Sequence, residues 1–352
     1  MKNSNKSAVK IKSLIEAFDY LGQQLDKYAK QEATNPEVNT ILDHATQVAQ
    51  VQNPWFTKAN INTSVVNWSA LLQRDLLTNW ISGYQQAKWT DAAVGLVLAG
   101  NLPLVGLHDL ICVLLTGHKA VVKLSSKDNV LIPALVRILH HNFAEINERV
   151  QFVKERLGQV DKVIATGRNN SSRYFSYYFK NIPHIIRKNR NSVAVLTGEE
   201  TEEQLAGLAD DICLYFGLGC RSVSKIWVPN GYDFDILFGA LFRHKDMIQH
   251  NGYANNYDYN KAIFLMNHEV ILDNGFIILK EDERISSPIA CLYYSYYNDR
   301  SEVEHQILTN RENVQCVVST KGNNTVLPGK AQCPQINDYA DNIDTMEVLL
   351  KS

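Results

Sequence analysis

Several features that would assign this 352-residue chain to a class at once are missing from it. Its six cysteines form no CxxC pair and show no Cys/His spacing of the kind that binds zinc. Its apolar runs, such as residues 92–99, are far shorter than the roughly 20 residues that a membrane-spanning helix needs. These absences predict a protein without a metal site and without a membrane span.

The sequence also has little net charge and no recognisable leader. A formal charge of −2 gives no overall attraction to a nucleic acid. The basic N-terminal stretch MKNSNKSAVKIK is not followed by the apolar segment of a secretory signal. We therefore expect a cytoplasmic protein with no nucleic-acid partner, in which most cysteines are buried, reduced thiols.

The hydrophobic pattern predicts helices first and an alternation of strands and helices afterwards. Helices are predicted over 8–30, 37–50, 65–87, 104–117, 129–147 and 201–219, and strands over 92–101, 119–125, 160–167, 184–189, 192–198 and 224–229. This alternation favours a doubly wound parallel α/β fold. No GxGxxG motif follows any predicted strand, so the ordinary dinucleotide-binding fingerprint is absent.

Cys220 is the candidate nucleophile, in the segment FGLGCRS between a predicted helix and a predicted strand. Gly219 removes side-chain bulk beside it, and Arg221 would favour the thiolate, the reactive form of cysteine. The alternative interpretation is a buried thiol at the end of a helix. Local chemistry alone leaves both interpretations open.

Asn101 is the candidate for oxyanion stabilisation, in the segment AGNLPLVGLHDL at residues 99–110. A turn between a strand and a helix places its amide at the mouth of an α/β sheet, where ligands bind in this architecture. The amide could donate a hydrogen bond to an oxyanion. The alternative is a plain turn, because Gly, Asn and Pro are common turn residues.

Two further strand ends carry groups that suit a nucleotide. The segment KAVVKLSSKD ends a strand with a lysine and two hydroxyls, which suit a ribose or a phosphate. The segment IATGRNNSSRYF resembles a phosphate-binding loop that opens a helix. A solvated strand end is the alternative for the first. The candidate cofactor residues in the two segments are Lys123, Ser125, Ser126, Thr166, Gly167 and Arg168.

Taken in order, these four segments resemble the aldehyde dehydrogenase superfamily and, within it, the LuxC-type acyl-CoA reductases. The superfamily has an Asn-x-Pro turn before a helix, then a strand of the form N-x-V-x-K-x, and a nucleophile in F-x-x-G-Q-x-C. Here the corresponding segments are Asn101 to Pro103, HKAVVKLSS and FGLGC. The resemblance covers residues 90–230 well and 240–352 loosely.

The resemblance implies an aldehyde-dehydrogenase-like α/β fold and a thioester reduction. Residues 1–197 would form a helical lead-in and an NADP-binding, Rossmann-like domain, and 198–325 the catalytic domain. Residues 326–352 would form a tail whose terminal strand, MEVLL, assembles copies. Cys220 would attack the thioester carbonyl, Asn101 would stabilise the oxyanion, and the six cofactor residues would hold the ribose, pyrophosphate and nicotinamide.

Three departures from the superfamily refine this expectation. The Glu that activates water in hydrolytic members falls at or near Ile186, which favours transfer of the acyl group to hydride rather than to water. Ser126 replaces an acidic ribose ligand, which favours NADPH over NADH. Arg284, in ERISSPI, stands where a ribose-binding Glu would be.

The resulting prediction is an NADPH-dependent reductase that converts a fatty acyl-CoA or acyl-protein thioester to the aldehyde. Two alternatives stay open: a CoA-acylating aldehyde dehydrogenase that works oxidatively, and a non-catalytic acyl-binding subunit. The expected partners are the thioester substrate and either a second copy of the chain or an acyl-transferring protein.

Overall fold

The computed structural model describes residues 2–32, 35–84, 92–167 and 169–351. The chain divides into two compact units, the first formed by Met1–Lys188 with Gln335–Ser352 and the second by Asn189–Pro334. The expected division after residue 197 therefore lies inside the second unit. The reason is strand pairing, because residues 191–195 hydrogen-bond to two strands of that unit.

The first unit opens with the helices α1 (Lys2–Ala29), α2 (Pro36–Gln52), α3 (Lys58–Leu71) and α4 (Arg74–Ser82). As the amphipathic pattern predicts, α1 buries side chains such as Phe18 along one face. The single helix predicted over 65–87 is wrong, because the chain breaks between α3 and α4; residues 85–87 lie outside the described residues. At the break Leu72 packs onto Gly22, where a Cβ would lie 2.8 Å from the Leu72 carbonyl oxygen.

A five-stranded parallel sheet follows, in the order β3-β2-β1-β4-β5. Its elements are β1 (Ala93–Val97), α5 (Leu107–Leu115), β2 (Lys119–Lys123), α6 (Leu131–Asn142), β3 (Val150–Val153), β4 (Lys162–Thr166), α7 (Asn169–Tyr178) and β5 (His184–Arg187). The predicted α/β class is confirmed. The edge strand β3 was not predicted, because its Gln151 and Phe152 are exposed and it lacks an apolar run.

The C-terminal segment of the first unit corrects the sequence analysis. The predicted terminal strand is wrong: Thr345–Leu350 is a helix, α12, whose N-cap Asp344 accepts a hydrogen bond from the Glu347 N–H at 2.8 Å. Met346 and Leu349 are spaced to share one face of this helix, and both are buried in the core of the first unit. Because this segment is a helix, it provides no terminal strand for assembly between copies. Its apolar face is already covered by the first unit.

The second unit contains a six-stranded sheet in the order β11-β6-β7-β10-β9-β8, parallel except for the β8–β9 pair. Its strands are β6 (Asn191–Val195), β7 (Val223–Pro229), β8 (Ile271–Asp273), β9 (Ile278–Glu281), β10 (Cys291–Tyr297) and β11 (Val314–Val318). Its helices are α8 (Glu202–Cys213), α9 (Phe234–Leu241), α10 (Asn251–Met266) and α11 (Arg300–Thr309). The helix predicted over 201–219 thus ends at Cys213.

Two features are absent from the described residues. No helix among them combines the length and the apolar character needed to cross a bilayer. No group of three or more His, Cys, Asp and Glu side chains in the described part of the chain is arranged to hold a metal ion.

Candidate active site

Cys220 lies at the tip of a tight turn between α8 and β7. The Ser222 N–H donates to the Gly219 carbonyl at 3.1 Å, so Cys220 and Arg221 are the two central residues of a four-residue turn. The Gly219 N–H donates in return to the Ser222 hydroxyl at 3.2 Å. Cys220 is partly exposed, whereas Gly219 and Ser222 are buried. The turn therefore presents the thiol while both of its ends are fixed.

The segment before the turn has an unusual backbone. Tyr215, Phe216 and Gly217 all have positive φ, at 56°, 57° and 71°. Non-glycine residues rarely adopt this left-handed region, and such strain concentrates at functional sites. The Phe216 ring packs on the imidazole of His250, with centroids 4.5 Å apart, which helps to hold the strained segment.

Residues 219–222, the nucleophile turn, carry the candidate nucleophile, and Ser192 on β6 holds this turn from the sheet. Its hydroxyl donates to the Cys220 carbonyl at 3.0 Å, and its N–H donates to the Ser222 carbonyl at 3.3 Å. The hydroxyl also lies 3.0 Å from the Cys316 sulfur on β11. Since Ser192 is completely buried, these bonds fix the turn to the centre of the second unit.

A loop at residues 329–332 holds the turn from the other side. The Arg221 Nε donates to the Ala331 carbonyl at 2.6 Å, and the Gln332 side-chain amide donates to the Ser222 hydroxyl at 3.1 Å. Arg221, which the sequence analysis assigned to thiolate stabilisation, thus has a positioning contact as well. Sequence reasoning missed Gln332 and the loop, which lie more than a hundred residues from the turn.

Four of the other five cysteines have surroundings that disfavour the thiolate. Burial raises the pKa of Cys112 and Cys213, and it raises the pKa of Cys291 to about 12. A thiol with a raised pKa is a poor nucleophile, because the thiolate is the reactive form. Cys333 is exposed, but burial of its sulfur also raises its pKa. These four environments suit packing rather than catalysis.

The candidate residues of the first unit meet at one edge of its sheet. Asn101 follows β1, Lys123 ends β2, and Thr166 ends β4. Since β1 lies between β2 and β4 and all three are parallel, their carboxyl ends share one edge. Asn101 is exposed there, and Thr166 and Gly167 are partly exposed. Arg168 lies outside the described residues.

Gly100 and Ser125 bring the first two of these loops together. A Cβ at Gly100 would lie 2.6 Å from both the Cβ and the Oγ of Ser125, so only glycine permits this approach. The Ser125 hydroxyl accepts the Lys127 N–H at 3.2 Å, which closes a small turn, and Ser126 is exposed on it. The Lys123 ammonium donates to the Glu155 carbonyl at 2.7 Å. The arrangement leaves a glycine-lined edge with a cation and hydroxyls.

Asp128 is a residue of this edge that sequence reasoning missed. Its carboxylate accepts the N–H of Leu104 at 3.2 Å and that of Leu131 at 3.4 Å, and so ties the loop after β1 to the start of α6. Burial raises its pKa to about 6, although its backbone hydrogen bonds oppose the rise. Leu104 has a φ of 60°, so Asp128 supports a strained loop. In the sequence, the only sign of this role is an acidic residue directly after the segment SSK at residues 125–127.

Two of the three positions that depart from the superfamily, Ile186 and Arg284, lie beside or within ion pairs. Ile186 lies in β5, and the neighbouring Arg187 forms a buried ion pair with Asp109 of α5, with 2.6 Å between Nη2 and Oδ1. Arg284 follows β9 and pairs with Asp282 at 2.6 Å. An isoleucine cannot activate water, and an arginine committed to a carboxylate is no substitute for a ribose-binding glutamate.

Solved structures of aldehyde dehydrogenases share this architecture. An aldehyde dehydrogenase from Pseudomonas syringae, solved with NAD+ and octanal, is 10% identical; the alignment covers 91% of this chain and 74% of that one, with a TM-score of 0.62. An enzyme from Bacillus cereus, solved with NAD+, is 13% identical over 87% of this chain and 71% of that one, with a TM-score of 0.56. The fold is therefore aldehyde-dehydrogenase-like.

Within this fold class, the chain belongs to the acyl-CoA reductase (LuxC) family, whose model matches residues 7–236. It is 23% identical to long-chain acyl-protein thioester reductase 2 of Photobacterium leiognathi, over 86% of this chain and 62% of that protein. It is 24% identical to long-chain acyl-protein thioester reductase of Aliivibrio fischeri, over 80% of this chain and 64% of that protein. The chain thus spans less than two thirds of the length of these relatives.

Proposed function

We propose that this protein reduces a long-chain acyl thioester to the aldehyde through an acyl-enzyme at Cys220, with NADPH as the reductant. The observation that carries the proposal is the nucleophile turn, in which a partly exposed Cys220 is held between Ser192 and the loop 329–332. Membership of the LuxC family and the names of the two relatives support a thioester as the substrate.

The Cys220 sulfur is the atom that accepts the acyl group. Its thiolate attacks the thioester carbonyl, a new carbon–sulfur bond forms, and the original one breaks with release of the substrate thiol. NADPH, when bound, supplies the hydride that converts the acyl group to the aldehyde. The Cys220 thiolate then leaves and is free for another turnover. We propose acyl-CoA or an acyl-protein as the acyl donor.

We propose that the Asn101 amide donates a hydrogen bond to the oxyanion that forms at the acyl carbonyl. Its support is the resemblance to the superfamily together with its exposed position in the turn after β1. Removal of such a donor from an enzyme costs about 100- to 1000-fold in kcat. Asn101→Ala should therefore depress both formation and reduction of the acyl-enzyme.

The cofactor is proposed to bind along the carboxyl edge of the first sheet. We assign the ribose and phosphate contacts to Lys123, Ser125 and Ser126, and the pyrophosphate or nicotinamide contacts to Thr166, Gly167 and Arg168. Asp128, the acid two residues after Ser126, is 4% exposed and accepts two backbone N–H groups. Its carboxylate is therefore engaged by hydrogen bonds within the fold. Lys127 and Ser126 face the solvent, and a cation and a hydroxyl there favour binding of the extra phosphate of NADPH.

The proposal also explains why water is a poor acceptor of the acyl group. By the resemblance, the position of the water-activating glutamate falls at or near Ile186, in β5. Without a general base, hydrolysis of the thioester that joins the acyl group to Cys220 is slow. The acyl group then persists until hydride arrives.

The decisive experiment is intact-mass spectrometry after mixing the protein with a long-chain acyl-CoA in the absence of NADPH. We expect a one-to-one acyl adduct that maps to Cys220 and disappears on addition of NADPH with release of aldehyde. Cys220→Ala should give no adduct, whereas the matched variant Cys333→Ala should give the full adduct. An adduct that survives in Cys220→Ala, or full activity of that variant, contradicts the proposal.

A further inference from the structure

Asp211 is a buried carboxylate on α8 that contacts the loop 329–332 rather than the nucleophile turn. Its Oδ2 accepts the Gly329 N–H at 2.7 Å, and its Oδ1 accepts the Ala331 N–H at 3.0 Å. The residue has no exposed surface. Both oxygens of one carboxylate thus fix the backbone of one loop, and a buried bond of this charged kind contributes more than a neutral one.

The loop held by Asp211 is the loop that holds both neighbours of Cys220. Its Ala331 carbonyl accepts the Arg221 Nε, and its Gln332 side chain donates to Ser222. Ala331 therefore bonds Asp211 through its N–H and Arg221 through its carbonyl. The path from carboxylate to nucleophile turn passes through one residue.

The loop and α8 are also in unusually close contact. A Cβ at Gly207, four residues before Asp211 and on the same face of the helix, would lie 2.8 Å from the Pro328 carbonyl carbon. Gly329 has a φ of 81°, and a Cβ there would lie 3.0 Å from the Gly207 Cα. Two glycines thus let the loop lie directly against the helix, within reach of the short aspartate side chain.

We propose that Asp211 is a positioning residue for Cys220, acting through the loop 329–332. The inference rests on the proposed function, in which Cys220 is the nucleophile. Two N–H donors that point at one side chain require two acceptor oxygens. Asn would aim its NH2 at one of the two N–H groups, and Glu would be too long for the gap, so neither substitutes for Asp.

The charged surroundings of Asp211 support this reading. Burial raises its pKa to about 6, against the lowering effect of the backbone hydrogen bonds, and Asp210 adds to the rise. The ionisable groups on and beside the same loop are Cys333, Lys330 and Arg221, of which Arg221 bonds the Ala331 carbonyl. The carboxyl ionises near pH 6, so the strength of the hydrogen bonds that it accepts from the loop changes with pH in that range.

The test compares Asp211→Asn with Asp210→Asn, the adjacent acid whose carboxylate pairs instead with His244 at 2.8 Å. The readout is the rate at which acyl-CoA acylates Cys220, followed by quenched intact mass and mapped to the peptide, with unfolding measured in parallel. We expect Asp211→Asn to acylate on the order of 10- to 100-fold more slowly while still folded, as a displaced reacting group predicts. Its rate should also lose the dependence on pH near 6.

Gly207→Ala displaces the same loop without touching the carboxylate, and it serves if Asp211→Asn does not fold. Gly207→Ala should slow acylation too. The fold-loss of rate in the double variant should be smaller than the product of the two single losses, because both changes act through the same loop. Wild-type acylation by both folded variants, or an equal loss in Asp210→Asn, overturns the proposal. If the acyl group maps to another residue in the wild type, the proposed function fails and not the inference alone.

Discussion

The hydroxyl of Ser192, a fully buried residue of β6, donates a hydrogen bond to the carbonyl oxygen of Cys220 at 3.0 Å. The proposed nucleophile is thus tied by its own backbone to the neighbouring strand of the sheet. A catalytic group held in this way loses reactivity when the bond is removed, because small displacements of a reacting atom are costly.

Ser192→Ala should therefore slow acylation of Cys220 by about 10-fold or more. It should also lower the free energy of unfolding by about 1–2 kcal/mol, since a buried carbonyl loses its donor. The matched control is Ser224→Ala on β7, whose hydroxyl donates to the Ile285 carbonyl at 2.7 Å. The control should lose similar stability but keep its acylation rate, and an equal loss of acylation would count against a specific role for Ser192.

Gly100→Ala should weaken NADPH binding, because it separates two of the loops proposed to hold the cofactor. The new Cβ would lie 2.6 Å from Ser125, so the loops after β1 and β2 must move apart. We expect the Kd for NADPH, measured by fluorescence titration, to rise by about 10-fold or more. Gly239→Ala on α9 is the control, since nothing lies within 4 Å of its Cβ, and it should bind NADPH normally.

The buried ion pair between Asp109 and Arg187 predicts a large effect on stability. Arg187 also donates to the Ala340 carbonyl at 2.7 Å and to the Thr345 hydroxyl at 2.9 Å, so it joins α5 to the C-terminal segment. Asp109→Asn leaves the guanidinium buried without its carboxylate and should cost about 3–5 kcal/mol in urea unfolding. Breaking the exposed pair Glu347–Lys351 by Glu347→Gln should cost less than about 1 kcal/mol.

Some of this architecture was predictable because its signals are local. The turns after β1, β2 and β4 have glycine, asparagine or serine directly after short apolar strands, and the order of those segments matched a known superfamily. Other features have no local signal. MEVLL is too short for its period to separate a strand from a helix, and only burial of Met346 and Leu349 decides the matter.

The contacts that hold the nucleophile turn are examples of features that have no local signal in the sequence. Tyr215 and Phe216 are ordinary residues in sequence, yet tertiary packing holds both in the left-handed region. Asp211 reads as one more acid on an amphipathic helix, and its partners lie more than a hundred residues away. Contacts of this kind arise from the folded chain and leave no pattern in a single sequence.

The raised pKa of Asp128 predicts how stability depends on pH. Its pKa rises from 3.8 to about 6 on folding, mainly because of burial, so between these values the folded protein holds a proton that the unfolded chain releases. The free energy of unfolding should therefore fall as the pH rises from about 4 to above 6. For this group the fall is on the order of 3 kcal/mol.

Urea unfolding at pH 4.5, 5.5, 6.5 and 7.5 measures this dependence, and Asp128→Asn should flatten it by the contribution of the one carboxyl. The exposed Asp26→Asn is the control and should leave the slope as in the wild type. A slope unchanged in Asp128→Asn would show that other carboxyls set the dependence.

Ser126→Glu should shift the cofactor preference from NADPH towards NADH. Ser126 is exposed in the turn that Ser125 and Lys127 close, at the proposed ribose edge. A carboxylate there would repel the 2′-phosphate of NADPH and accept a hydrogen bond from the ribose hydroxyl of NADH. We expect the ratio of kcat/KM values for NADPH and NADH to fall by about 10-fold or more, which corresponds to about 1.4 kcal/mol. The exposed variant Lys321→Gln, outside the proposed cofactor edge, makes the same change of one negative charge unit and should leave the ratio unchanged. If Ser126→Glu leaves the ratio unchanged as well, the adenosine ribose binds elsewhere.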